Sequence, residues 1–219
     1  PPLCESKVIV SEFLQAGVPV VSIASGHFGD TLSCVRIDDH CASRDVVSHL
    51  IERGHTRIGY ITGDPNQTAS AHRWQGYRDA LADAGSAYDD TLVHPGYSPY
   101  RPGLDSAERL LALPRPPSAI FASNDDMASA VVSVAHRRGL DVPRDLSVVG
   151  FDDTSAATMV WPGLTTVHHP PAAMADTAID ILLREIRRGA SARVVVNRVL
   201  PHQLVRRSSV ADGPGSRRK

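Results

Sequence analysis

Short runs of Val, Ile and Ala alternate along this chain with longer stretches whose apolar residues recur at helical spacing. "VPVVSIAS" (18–25), "RIGYITG" (57–63), "PSAIFAS" (117–123) and "LSVVGF" (146–151) are apolar nearly throughout. Runs of this length without an apolar–polar alternation read as strands covered on both faces, as in a parallel sheet. "CASRDVVSHLIERG" (41–54) places Val46, Val47, Leu50 and Ile51 on one helical face and stops at Gly54, a residue suited to a left-handed cap. "HRWQGYRDALADAG" (72–85) and "DMASAVVSVAHRRG" (126–139) end in the same way at Gly85 and Gly139. "PPAAMADTAIDILLREIRRG" (170–189) opens on prolines, which a first helical turn tolerates, and a first helix is expected from about Glu5 to Ala16. The alternation predicts an α/β fold with parallel strands.

In parallel α/β sheets, ligands collect beyond the carboxyl ends of the strands, so the polar residues just past each run are the candidates for binding. They are Asn124, Asp125 and Asp126 in "AIFASNDDMASAV", Asp152 and Asp153 after "VVGF", and the loop "DPNQTASAHR" (64–73). Asp at a strand-to-helix junction is a favoured cap at the positive end of a helix. Asp125 and Asp126 are therefore read as caps, and Asn124 as the residue that faces a ligand. An amide that donates and accepts, carboxylates that accept from hydroxyls and an arginine fork together suit a polyhydroxylated molecule.

Composition narrows the classes. The chain has 219 residues, with 23 Lys and Arg against 24 Asp and Glu, and the net charge of −1 offers no basic footprint for nucleic acid outside the C-terminal tail. Cys4, Cys34 and Cys41 have neither CxxC spacing nor a zinc pattern, so they read as thiols of a reducing compartment, and no metal is expected. No apolar run is long enough for a bilayer, and "PPLCESKVIV" is not a signal peptide. A cytoplasmic location is expected, with no membrane partner, and the start at Pro1 suggests processing or truncation. His27 and Asp30 in "SGHFGD", or Asp152 with His169, could be read as acid and base, but Gly-x-Gly-x-x-Gly and Gly-x-Ser-x-Gly are both absent. The expectation is a protein without catalytic residues or cofactor. His168 and His169 diverge if extended, which disfavours joint metal ligation, while His55, Trp74 and Trp161 read as packing residues.

"HLIERGHTRIGYITG" (49–63), "RWQGYRDAL" (73–81), "IFASNDDMA" (120–128), "GLDVPRDLSVVGFDD" (139–153) and "WPGLTTV" (161–167) resemble, in order and spacing, the effector-binding core of LacI/GalR-family transcriptional regulators, from about Val18 to Ser208. The resemblance implies two Rossmann-like lobes of periplasmic-binding-protein type I around a small molecule, joined by crossings near Gly63, Val167–Pro170 and Gly189–Arg193, with the N-terminal lobe incomplete. It assigns 1–63 and 170–189 to the first lobe, 64–169 and 190–208 to the second, and 209–219 to a disordered tail. Closure of lobes about hinges converts binding into a change of shape.

Carried over by position, the resemblance makes Arg73, Asn124 and Asp152 effector ligands. His169 stands where many members have Gln; an imidazole replaces one amide hydrogen bond but not both, and unlike an amide it titrates. Ser98 occupies a position often aromatic in the family, flanked by Tyr97 and Tyr100, either of which could stack on a sugar face. Ala24 replaces a polar ligand contact of some members. The implied partners are a sugar or related polyol as effector, operator DNA through a helix-turn-helix headpiece that does not precede Pro1, and a second copy of the chain in a homodimer. The alternative is the sugar-binding protein of a transport system, against which the quoted signatures and the lack of disulfide pairing weigh.

Overall fold

The structure, a computed structural model, describes residues 5–24, 31–188 and 194–218. The "SGHFGD" stretch with His27 and Asp30, Cys4, and the expected Gly189–Arg193 crossing lie outside these residues. In chain order the elements are α1 (Lys7–Gln15), β1 (Val21–Ile23), β2 (Ser33–Ile37), α2 (Asp39–Glu52), β3 (Ile58–Thr62), α3 (Thr68–Asp83), β4 (Val93–Pro95), α4 (Tyr100–Leu111) and β5 (Ala119–Ala122). They continue with α5 (Asp125–Arg137), β6 (Ser147–Val149), α6 (Ala156–Met159), β7 (Thr166–His168), α7 (Pro171–Arg188), β8 (Asn197–Leu200) and β9 (Gln203–Val205). Gly54, Gly85 and Gly139 have φ of +88°, +66° and +73°, the left-handed conformation that ends a helix where a Cβ would be strained.

The chain packs as two units. The first comprises Pro1–Asp38, Asn66–Ala69 and His169–His202. Its parallel sheet has the order β1-β2-β8. Along α7, Met174, Ala178, Ile181 and Glu185 recur at spacings of three and four and are buried, as one helical stripe must be. Ser33 donates its hydroxyl to the Glu185 carboxylate at 2.6 Å and accepts from the Val196 amide at 3.1 Å, so one side chain ties β2 to both α7 and the approach to β8.

The second unit comprises Asp39–Pro65, Ser70–His168 and Gln203–Lys219. Its parallel sheet has the order β4-β3-β5-β6, and β7 pairs antiparallel with β9. The strand alternation divides the core. Ile61, Ile120 and Ala122 face α4 and α5 with Leu110, Met127 and Val131, while Tyr60 stacks on Tyr77 of α3 at 4.9 Å and lies 5.1 Å from Phe121. Gly76 lets α3 approach α2 closely, since a Cβ there would come within 2.3 Å of the His40 carbonyl oxygen. Arg73, three residues earlier on the same helical face, is thereby brought against the start of α2.

This packing departs from the sequence-based boundaries. Residues 39–63, expected in the first lobe, belong with the second unit, because α2 is joined to α3 through the Gly76 approach and through a 2.6 Å hydrogen bond from Ser43 Oγ to the Arg73 carbonyl. Within 190–208, expected in the second lobe, β8 pairs with β2 of the first unit. The segment after 208 is not a loose end over its described length. Ser209 is fully buried, its hydroxyl donates to the Val148 carbonyl at 2.6 Å and its own carbonyl accepts from the Val148 amide at 2.8 Å. A backbone edge of β6 holds the segment, which an apolar periodicity cannot reveal. A 3-10 helix follows at Pro214–Arg218.

Candidate functional site

The candidate residues of the second unit gather at the carboxyl ends of β3, β5 and β6. Arg73, in the second turn of α3, is the centre. Its Nε donates to Asp39 Oδ1 at 2.8 Å, Nη1 to the Ser123 carbonyl at 2.6 Å, and Nη2 to Asp152 Oδ1 at 3.4 Å. The guanidinium lies 3.6 Å over the Phe151 ring. Its side chain is 15% exposed, against 9% for Asp39 and 26% for Asp152, so Asp152 is the most open member of the cluster. Burial works against the Arg73 charge, but the Asp152 and Asp39 carboxylates outweigh it and hold the guanidinium more firmly protonated. Three of its N–H groups are thus used within the protein, and a guanidinium carries five.

Asp152 and Asp153 lie in a backbone that L-residues adopt reluctantly, with φ of +101° and +54°. Asp153 is held by Arg207 at 2.6 Å and His168 at 3.0 Å, so its charge is spent internally. Asp152 is fixed through its backbone, its amide donating to the Val167 carbonyl at 2.9 Å.

The cap expected of Asp125 is made by Asn124 instead. Asn124 is the N-cap of α5, its Oδ1 accepting from the Met127 amide at 2.9 Å, and its Nδ2 donates to the Ser98 carbonyl at 2.8 Å. Asp125 is not a cap. It is wholly buried, with Oδ2 accepting from the Thr154 amide at 2.7 Å and Oδ1 from the Thr166 hydroxyl at 2.6 Å. Burial pushes its pKa up to about 6, against the Thr166 and Thr154 hydrogen bonds, which lower it. The first Asp of an α5 turn that already has a cap is free to turn inward.

Tyr97 and Ser98 also have positive φ, +55° and +78°. Ser98 Oγ accepts from the Asp64 amide at 3.3 Å, and Tyr97 is 52% exposed. Tyr100 is directed elsewhere, its hydroxyl donating to Ser133 on α5 at 2.9 Å. The structure thus brings Arg73 together with Asp152, and Asn124 together with Ser98, while His169 belongs to the first unit. The loop expected over 64–73 is helical from Thr68. Asp39 was not anticipated. The signal lay in "RIDDH" (36–40), one more acidic pair following Val35 and Ile37.

Parallel sheets with polar side chains converging at the strand ends are the setting in which α/β domains bind ligands. Residues 47–210 match the model of the periplasmic binding protein-like domain, and the chain belongs to that family. It is 34% identical over 201 residues to Catabolite control protein A of Priestia megaterium, covering 91% of this chain and 60% of that protein. It is 38% identical over 138 residues to the Ribose operon repressor of Escherichia coli (strain K12), covering 63% of this chain and 42% of the repressor. Among solved structures, the transcriptional regulator CelR–cellobiose complex superposes with a TM-score of 0.87 at 33% identity, over 93% of this chain and 62% of that one. The chain therefore spans about half the length of the curated relatives named here. The relatives are transcriptional regulators of the LacI/GalR type, and no helix among the described residues is long and apolar enough to cross a membrane.

Proposed function

We propose that this chain is the effector-binding core of a LacI/GalR-type transcriptional regulator and that its effector is a sugar or related polyol. The observation that carries the reading is Arg73, a buried cation at the strand ends facing the partly open Asp152 carboxylate. A planar donor beside a carboxylate acceptor recognises vicinal hydroxyls, each of which both donates and accepts. Tyr97, half-exposed in its positive-φ loop, supplies a ring for a sugar face. Asn124 and Ser98, bonded to one another, and His169 are retained as ligand contacts from their positions in the sequence, Asn124 directly following Ser123, whose carbonyl accepts from Arg73. The sugars named with relatives, ribose and cellobiose, support the class of ligand.

In this reading the protein binds without a catalytic step. Operator DNA is read by a headpiece outside this chain, a homodimer presents two headpieces to paired half-sites, and effector changes operator affinity by its differential affinity for two conformations. A thermal-shift screen of pentoses, hexoses and disaccharides tests it. A binding sugar raises Tm in the parent chain and not in Asp152→Ala. Absence of any shift across the panel sinks the reading.

A further inference from the structure

The buried carboxylate of Asp125 has no place among residues that touch a ligand, yet it joins three segments. It belongs to the first turn of α5, accepts from the Thr154 amide at 2.7 Å and the Thr154 hydroxyl at 3.2 Å in the loop after β6, and accepts from the Thr166 hydroxyl of β7 at 2.6 Å. The Thr166 hydroxyl, while donating a hydrogen bond to Asp125, accepts one from the Asp153 amide at 3.4 Å. Between these anchors lie Asp152 and Asp153, both at positive φ. Such a conformation persists only where its surroundings over-determine it. Gly150 opens the way, since a Cβ there would come within 2.3 Å of Asp125 Oδ1.

We propose that Asp125 is a positioning residue for effector binding: through Thr154 and Thr166 it holds the Asp152–Asp153 pair in its positive-φ conformation and so keeps the Asp152 carboxylate against Arg73. The proposal rests on the sugar-binding reading above for its functional half, while its structural half stands without a ligand.

The surroundings give the device a pH signature. Around Asp125, the loop contributes Asp152, whose charge raises the Asp125 pKa, and Asp153; α3 contributes Arg73 on Asp152; β7 contributes His168 and the segment after β9 contributes Arg207, both on Asp153; α5 itself contributes the exposed Asp126. Burial is the largest cause of the raised pKa. Opening the loop admits water to the carboxylate and lowers that pKa, so protons favour the closed loop.

Amide hydrogen exchange of the chain between pH 5 and pH 8, expressed as protection factors, reads this directly. Protection of the Asp152 and Thr154 amides is expected to rise as pH falls in the parent chain, to lose that slope in Asp125→Asn, and to drop at least tenfold at all pH values in Asp125→Ala. Thr166→Val, which keeps the side-chain shape, gives a second variant that loosens the same amides, and His168→Gln keeps the slope. Calorimetric titration with D-ribose and with cellobiose at pH 7.5 reads the functional half, with at least a tenfold weaker Kd expected in Asp125→Ala for whichever sugar binds. If neither sugar binds the parent chain, the positioning of an effector group is overturned, and the exchange data still decide whether Asp125 holds the loop. Unchanged protection in both Asp125→Ala and Thr166→Val, or a slope that persists in Asp125→Asn, overturns the proposal.

Discussion

Two acidic pairs close neighbouring strands of the same sheet, Asp125–Asp126 after β5 and Asp152–Asp153 after β6, and they do opposite things. After β5 the chain enters a helix at once with Asn124 as its cap, so Asp125 is turned into the core and Asp126 stays exposed. After β6 no helix starts until Ala156, and the pair takes positive φ, with Asp152 toward Arg73 and Asp153 toward Arg207 and His168. The same dipeptide after the same kind of strand becomes a buried brace in one place and a partly open acceptor in the other. Backbone conformation, not residue type, separates the roles.

The contrast can be broken from several sides. The largest effect is expected from Arg73→Ala, which leaves Asp39 and Asp152 facing each other without their cation. Removing one partner of a buried pair costs about 3–5 kcal/mol, read as a lower midpoint in urea unfolding at pH 7.5. Next comes Asp125 itself. Its folded pKa of about 6 lies above the unfolded value, so its stabilising contribution is fully present below about pH 4 and is lost as pH rises through 6. Relative to Asp125→Asn, the parent chain should gain on the order of 3 kcal/mol on acidification from pH 7.5 to pH 4, measured by paired urea melts. A flat difference would mean that the carboxylate is no more costly to bury than an amide.

Gly150→Ala drives a methyl group into Asp125 Oδ1 and should cost about 1–3 kcal/mol, with the Thr154 amide losing protection from exchange. Asn124→Ala removes only the cap and the bond to Ser98, for which about 1 kcal/mol is expected in thermal unfolding. If Asn124→Ala proved costlier than Gly150→Ala, the ranking of brace over cap would be reversed.

The α/β class and the four long helices were legible because apolar periodicity and terminal glycines are local signals. The short strands β2, β4, β7 and β8 were not, since three to five residues without a continuous apolar run carry no period. The family resemblance brought Arg73 and Asp152 forward, and the structure places them together. Sequence could not show that Asn124 rather than Asp125 caps α5, because capping depends on which side chain reaches the Met127 amide. Nor could it show Asp39, whose importance comes from the close approach of α2 and α3 that Gly76 allows.

The central claim is that Asp152, held against Arg73, binds hydroxyls of a sugar. Isothermal titration of the parent chain and of Asp152→Asn with D-ribose and with cellobiose at pH 7.5 tests it most directly, since Asn keeps the side-chain size and removes the charge. The account predicts saturable binding of at least one sugar to the parent chain and a Kd at least tenfold weaker in the variant. Equal affinity in the two chains, or no binding of either sugar to the parent chain, would contradict it.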